Sequence, residues 1–204
     1  MKRSLPLAAA LLALAAPLAA DSSVGVGVST FGLNLEAQTR VAPMIGVRGA
    51  VMGGVDIDYE EMDAEVDLMG NVTLGGAALL VDAYPMGGGW RVSAGGFLTD
   101  SDLEVIGSAE ITKVGTVSVT STAEFANEIS PMLTTGYVWN ASPFFSLSTD
   151  VGLLYTGGIE VTYTANDPLW QDDVDADPEL QQIRDDASEI TIYPYASIVG
   201  SFRF

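Results

Sequence analysis

The chain has 204 residues and a formal net charge of −19, from 27 acidic residues against 8 lysines and arginines, and it contains neither cysteine nor histidine. Such acidity excludes nucleic acid as a partner, and the lack of cysteine excludes disulfides and thiol chemistry. The lack of histidine removes the usual base for a serine nucleophile and the usual transition-metal ligand, so no enzyme, no metal site and no cofactor is expected.

Met1, Lys2 and Arg3 make a basic start, Leu5 to Ala20 form an apolar run broken by Pro6 and Pro17, and Asp21 follows. This reads as a secretory signal peptide over residues 1–20, with cleavage expected after Ala20 and export of 21–204 as one domain. The run falls short of the roughly 20 apolar residues that a spanning helix needs. Glycine or a charge interrupts every later apolar run, so a membrane would have to be crossed by strands.

Val24 to Thr30 alternate as V-G-V-G-V-S-T, Phe31-Gly32 supplies a tight turn, and a second strand sets Leu33, Leu35 and Ala37 against Asn34, Glu36, Gln38 and Arg40. After a short turn at Ala42-Pro43, Ile45, Val47 and Val51 oppose Gly46, Arg48 and Met52. Seven carboxylates then crowd Val55 to Asp67. Val66, Leu68, Val72 and Leu74 face away from Asp67, Asn71 and Thr73, a phase that would send Asp82 to lipid if it continued through Gly75-Gly76. Glycine inside a strand often marks a bulge, and a bulge here turns Asp82 inward, which is the reading adopted.

Pro85 to Gly89 make the next turn, and Trp90, Val92, Ala94 and Leu98 then oppose Arg91, Ser93 and Gly95. A Ser/Thr/Val-rich connection over 99–122 extends the neighbouring strands beyond the membrane. Ile129, Leu133, Tyr137 and Trp139 oppose Glu128, Ser130 and Thr134; past the turn at 140–143, Phe145, Leu147, Val151 and Leu153 oppose Ser146, Ser148 and Asp150. A second acidic segment, Ala165 to Glu189, carries nine carboxylates and one arginine. Within it Asp177-Pro178-Glu179 reads as a helix start, Asp at the cap and Pro at the first position, running to about Asp186. The last stretch, Ser188 to Phe204, alternates with period two and reads as one long strand.

Short connections near 43, 85–89 and 142–143 alternate with long ones at 57–65, 100–122 and 165–187. Outer-membrane barrels have short periplasmic turns and longer outer loops. The expected fold is therefore all-β: an eight-stranded antiparallel transmembrane β-barrel with short periplasmic turns, longer acidic outer loops and both termini periplasmic. The expected location is the cell outer membrane, with outer-membrane lipid as a partner. A soluble exported barrel binding an apolar ligand would need the polar set outside and the apolar set inside.

The final strand resembles those of outer-membrane barrel proteins, which end in Phe with another aromatic two residues earlier. Phe202 and Phe204 match, and the resemblance implies an insertion signal read by the barrel-assembly machinery. The stretch from Asp82 to Gly95, D-A-Y-P-M-G-G-G-W-R-V-S-A-G, resembles the D-x-[YH]-P-F-G-G-G-F-R-L-x-x-G hairpin of small outer-membrane barrels related to the CarO-type ornithine-uptake porins, with Met86 in place of Phe. Asp177 to Gln181, Asp185-Asp186 and Tyr193-Pro194-Tyr195 resemble the acidic last loop and final strand of the same family. That resemblance implies an eight-stranded barrel with a role in small-solute passage.

The charged residues assigned to the lumen are Glu36, Arg40, Arg48, Asp67, Arg91, Glu128, Asp150 and Arg203, with Asp82 added by the bulge. An unpaired ion in a low-dielectric interior is costly, so four acids facing four bases suggest mutual pairing. An eight-stranded barrel is only just wide enough for its own side chains to fill. Two functions stay open: a lumen plugged by an internal ion network in a structural or surface-interaction barrel, or a narrow channel for ions or small polar solutes. Asp172, Asp173, Asp175 and Asp177 suit a hard cation, but they lack the glycine and distal glutamate of a calcium-hand loop and read as a solvated loop. Trp90, Tyr84, Tyr137, Trp139, Phe144 and Phe204 read as interface anchors at the periplasmic rim, and Trp170 as an outer-loop aromatic open to a partner.

Overall fold

A tilted strand of about 9–11 residues crosses a bilayer core, and the strands here are sorted by that length. The computed structural model describes residues 22–63, 66–100, 102–111 and 115–204, and side chains outside 55–72 and 101–116; the leader read over 1–20 lies outside the described residues. In chain order the strands are β1 (Ser22–Ser29), β2 (Gly32–Ala42), β3 (Ile45–Asp63), β4 (Val66–Ala83), β5 (Trp90–Thr99), β6 (Asp102–Ile111), β7 (Gly115–Phe125), β8 (Ile129–Asn140), β9 (Phe145–Tyr155), β10 (Ile159–Ala165) and β11 (Ile192–Arg203). Eight of them close a ring in the order β4, β3, β2, β1, β11, β9, β8, β5, with β5 returning to β4. Every pairing is antiparallel, and closure leaves no edge strand for hydrocarbon to strand unbonded.

Along each ring strand the period-two pattern separates two faces. Val24, Val26 and Val28 point out while Ser23 points in; Leu33 and Leu35 point out while Asn34 and Glu36 point in; Ile198 and Phe202 point out while Ser197 and Ser201 point in. The outer surface is a continuous apolar belt. Near the short turns it carries Trp90, whose indole N–H donates to Thr135 at 3.0 Å, and the Tyr137–Trp139 pair with ring centroids 4.9 Å apart. An apolar outside over a polar inside is the arrangement of a transmembrane barrel and the reverse of a soluble one.

At 19 and 18 residues, β3 and β4 are nearly twice as long as a bilayer crossing needs, so their far halves run on beyond it. The acidic segment expected as a loop over 57–65 is paired as a hairpin through Asp63↔Val66. Along β4, the neighbour changes from β5 at Gly76↔Thr99 to β6 at Thr73↔Asp102, so β6 continues the line of β5. By the same logic β7 continues β8 and β10 continues β9. The 99–122 connection thus extends its neighbours as expected, and five staves rise past the rim as a wall ordered β3, β4, β6, β7, β10.

A 3-10 turn (Pro168–Trp170) and two helices, α1 (Gln171–Asp175) and α2 (Pro178–Ser188), follow β10. Val174 and Leu180 of the helices pack on Val117 and Val119 of β7 and Tyr163 and Ala165 of β10. Val117 and Val119 share strand parity with Phe125, which packs into the barrel mouth, so the helices lie on the face of the wall that is continuous with the lumen. The open edge of β10 is blunted by Gln171. Its carbonyl accepts from the Ala165 N–H at 2.9 Å and its amide donates to the Tyr163 carbonyl at 3.0 Å, which imitates a neighbouring strand. On the exposed surface Arg184 donates to Asp175 at 3.0 Å and holds that carboxyl below the usual carboxylate range.

Two boundaries differ from the sequence reading. The last strand begins at Ile192, because the helix capped by Asp177 continues through Ala187 to Ser188. Asp82 does face inward, but the irregularity lies on the partner strand: Gly53 and Gly54 of β3 oppose Gly75 alone, with Gly54 at φ +82. Leu74 shares the inward face with Asp82 and packs against the mouth cluster, so the apolar phase drawn through it to lipid is wrong at that position.

The Asp177 carboxylate accepts from the N–H groups of Glu179 and Leu180, and losing such a cap costs about 1 kcal/mol. Asp177→Ala should therefore raise amide exchange in the first turn of α2 about fivefold, while barrel-strand amides keep their protection. Hydrogen exchange read by mass spectrometry checks both.

Candidate functional site

Period-two alternation on separate strands brings five charged side chains to one level of the lumen: Glu36 from β2, Arg48 from β3, Asp82 from β4, Arg91 from β5 and Asp150 from β9. None is more than 4% exposed. Arg48 is the hub. Its Nη1 donates to Glu36 at 3.3 Å and to Asp150 at 3.0 Å; its Nη2 donates to Asp82 at 3.2 Å and to the Ser93 hydroxyl at 3.0 Å. Arg91 grips Asp150 with a fork, Nε on Oδ1 at 3.0 Å and Nη2 on Oδ2, and its Nη1 donates to Gln38 at 2.7 Å. A bidentate guanidinium–carboxylate pair is among the stronger charge-assisted contacts. The Arg48–Asp150 bond crosses the lumen, since β3 and β9 stand four places apart in the ring of eight.

The wall makes room for this cluster with glycine. A Cβ on Gly136 of β8 would collide with the Asp150 carboxylate and the Thr149 carbonyl, so only glycine leaves Asp150 its place opposite.

Between the network and the outer mouth lies an apolar plug. Phe31, in the two-residue β1–β2 turn, reaches into the barrel and is fully buried against Phe97 at 4.5 Å and Tyr193 at 5.2 Å between ring centroids. Phe125 closes the group edge-on, and Met52, Leu80, Met132 and Leu154 fill the layer around it. The sequence reading makes Phe31 only part of a turn. The available signal is an aromatic ring in a two-residue connection, where glycine or asparagine is the ordinary choice.

Other assigned residues lie elsewhere. Arg40 and Arg203 line a polar cavity of about 190 Å³ at the mouth beside the short turns, the end expected to face the periplasm, where Arg40 stacks over the Tyr84 ring at 3.9 Å. Tyr84 is therefore inside the mouth rather than at the lipid interface. Glu128 is exposed at the outer rim, because the chain breaks strand form over 126–128 before β8 begins. There it borders a second cavity of about 350 Å³ with Asp100, Glu124 and Glu160. The Asp67 side chain lies outside the described residues. The expectation of four acids against four bases thus becomes, in the buried network, three carboxylates against two guanidinium groups. Phe202 and Phe204 face outward at the end of the last strand, Phe202 stacked on Phe144 at 6.4 Å.

Fold and site together define a transmembrane β-barrel of the outer-membrane type with a self-filled lumen. No family model and no curated protein matches the chain. Among solved structures it is similar to CarO2 and CarO of Acinetobacter baumannii, each with a TM-score of 0.62 and 19% identity; the matches cover 90% of this chain and 98% of CarO2, and 91% and 97% for CarO. A major outer membrane protein of Thermus thermophilus aligns at a TM-score of 0.39 with 15% identity over 90% of this chain and 98% of that one. The chain thus has the CarO-type outer-membrane barrel fold, and the resemblance read from its hairpin and last loop holds at the level of fold.

Removing one partner from a buried ion cluster costs about 3–5 kcal/mol, because the other charges stay buried. Arg48→Ala should lower the unfolding free energy of the refolded barrel by about that amount in urea titrations. Arg48→Lys should recover little of it, since one ammonium cannot reproduce a fork that serves four acceptors.

Proposed function

We propose that the protein is an integral outer-membrane barrel whose lumen is closed across its full width, and that its working surface is the folded wall on the outer side with the helices packed on it. The observation that carries this reading is the two-tier closure of the bore: the Phe31–Phe97–Tyr193 plug, and the Arg48–Arg91 network with buried counter-charges. An eight-stranded wall leaves space for little more than its own side chains, and here the side chains fill it with contacts that reward staying closed. On this reading the leader is removed on export, the three short turns face the periplasm, and the Phe202–Phe204 strand end engages the assembly machinery. Neither catalysis nor a resident cofactor forms part of the reading.

A gated passage for ions or small polar solutes is the second reading, and one observation favours it. The Asn34 amide and the hydroxyls of Ser130, Thr134 and Ser148 are buried on the lumen wall without a hydrogen-bond partner. A wall built only to be packed would be expected to satisfy or omit such groups. The CarO-type fold agrees with solute passage without specifying a solute.

Planar-bilayer recording of the refolded chain, residues 21–204, separates the two. The closed reading expects a silent wild type across salts and voltages, with discrete steps appearing only when plug and network are removed together, as in Phe31→Ala combined with Arg48→Ala. Wild-type steps whose size or ion selectivity changes in Arg48→Ala and Asp150→Ala would establish the passage instead.

A further inference from the structure

The buried network is short of one positive charge. Three carboxylates, Glu36, Asp82 and Asp150, meet two guanidinium groups. Asp150 is well served, with bonds from both arginines on its two oxygens. Glu36 and Asp82 each receive a single bond from Arg48, on opposite arms of its fork. Asp82 Oδ2 is buried without a hydrogen bond, and Arg91 Nη1 stands 3.8 Å from it.

The groups facing this cluster from the surrounding strands do not make up the difference. Gln38 of β2, Ser93 of β5 and Tyr195 of β11 are neutral, and Arg40 is turned to the periplasmic mouth over Tyr84 with its Nη2 on the Gly88 carbonyl. A buried ion without compensation carries a large desolvation penalty, so a further positive charge is called for. A metal ion needs several oxygens converging on one point, and among the described residues no group of three or more acidic side chains is placed to hold one. A proton needs only one carboxylate oxygen. Asp82 lies within ion-pair reach of both arginines and Glu36 of Arg48 alone. We propose that the network is completed by a single proton carried by Glu36 at neutral pH, making the lumen a proton-binding site.

The sign of the pH dependence follows. An unfolded chain has the Glu36 carboxyl ionised at neutral pH, with an ordinary value near about 4, so the folded barrel binds one more proton than the unfolded chain. Stability then falls as pH rises from about 5 towards 7, by up to about tenfold in the folding constant per pH unit.

Infrared spectroscopy of the refolded full barrel in lipid tests this directly. At neutral pH the wild type should show the carbonyl stretch of one protonated carboxyl group, shifted in D2O. Either Glu36→Gln or Asp82→Asn leaves two acids facing two bases, so both variants should lose the band and the pH slope of stability together. Absence of the band in the wild type overturns the proposal, a result that stability dependent on sodium or potassium at fixed ionic strength would explain by a bound alkali ion. Persistence of the band in both variants overturns it as well, and because the decisive spectrum is that of the wild type, a variant that fails to fold does not block the test.

Discussion

A bilayer offers the backbone nothing to bond with, and this structure follows from that constraint. Every strand in hydrocarbon must find a neighbour on both sides, so the sheet has to close, and closure at eight strands fixes a narrow bore. A narrow bore turns the inward face into a packing problem in which each inward residue meets others from across the barrel. Gly136 opposite Asp150 shows how tight that is, since one added methyl would displace the carboxylate that both arginines hold.

The same constraint explains why the charges are concentrated at one level. A lone charge in the bore would be expensive, whereas five charges at one level share hydrogen bonds and screen one another. The level is set by register: Arg48 pairs Leu80 across to β4 and Gln38 across to β2, which places it one inward step from both Asp82 and Glu36. Above the network the bore holds methionine, leucine and aromatic rings, which pack densely without requiring hydrogen bonds. The two-residue β1–β2 connection contributes the ring at the centre of that plug. Thr30 and Phe31 are the whole of the turn, so Phe31 has little freedom to leave unless the ends of β1 and β2 also move.

Much of the barrel is legible in the sequence because a two-residue period with polar glycine-rich turns is a strong and local signal. All eight ring strands and the inward positions of Glu36, Arg48, Arg91 and Asp150 come from it, while the helix capped by Asp177 is read from its Asp-Pro start. What is not legible depends on contacts far apart in sequence. Tyr84 reads as an interface anchor by its place near a turn, yet Arg40, from another hairpin, draws it inside. Glu128 has the parity of a lumen residue, but the break at 126–128 resets the phase before β8. That 99–122 extends the strands beyond the barrel is legible, but which barrel strand each of β6, β7 and β10 continues depends on pairing that alternation within any one segment does not encode. The bulge falls on the strand opposite the expected one for a related reason: a glycine pair stands on each side of the β3–β4 pairing, and only the register shows which pair carries the extra residue.

Composition alone misleads about the lumen. The chain is strongly acidic, but the acids and bases are not distributed alike. Four of the five described arginines, Arg40, Arg48, Arg91 and Arg203, belong to the barrel interior and its periplasmic mouth, while the outer segments carry most of the carboxylates. The bore therefore has polarity along its axis: Asp100, Glu124, Glu128 and Glu160 border the outer rim, mixed charges occupy the middle, and guanidinium groups stand at the periplasmic end. A cation approaching from outside is drawn to the rim and then meets an apolar plug that offers it no ligand. An anion approaching from the periplasm is drawn to the arginines and then meets buried carboxylates. On the closed reading proposed above, each end attracts what the next layer rejects, and an opening would have to rearrange the plug and the network in concert.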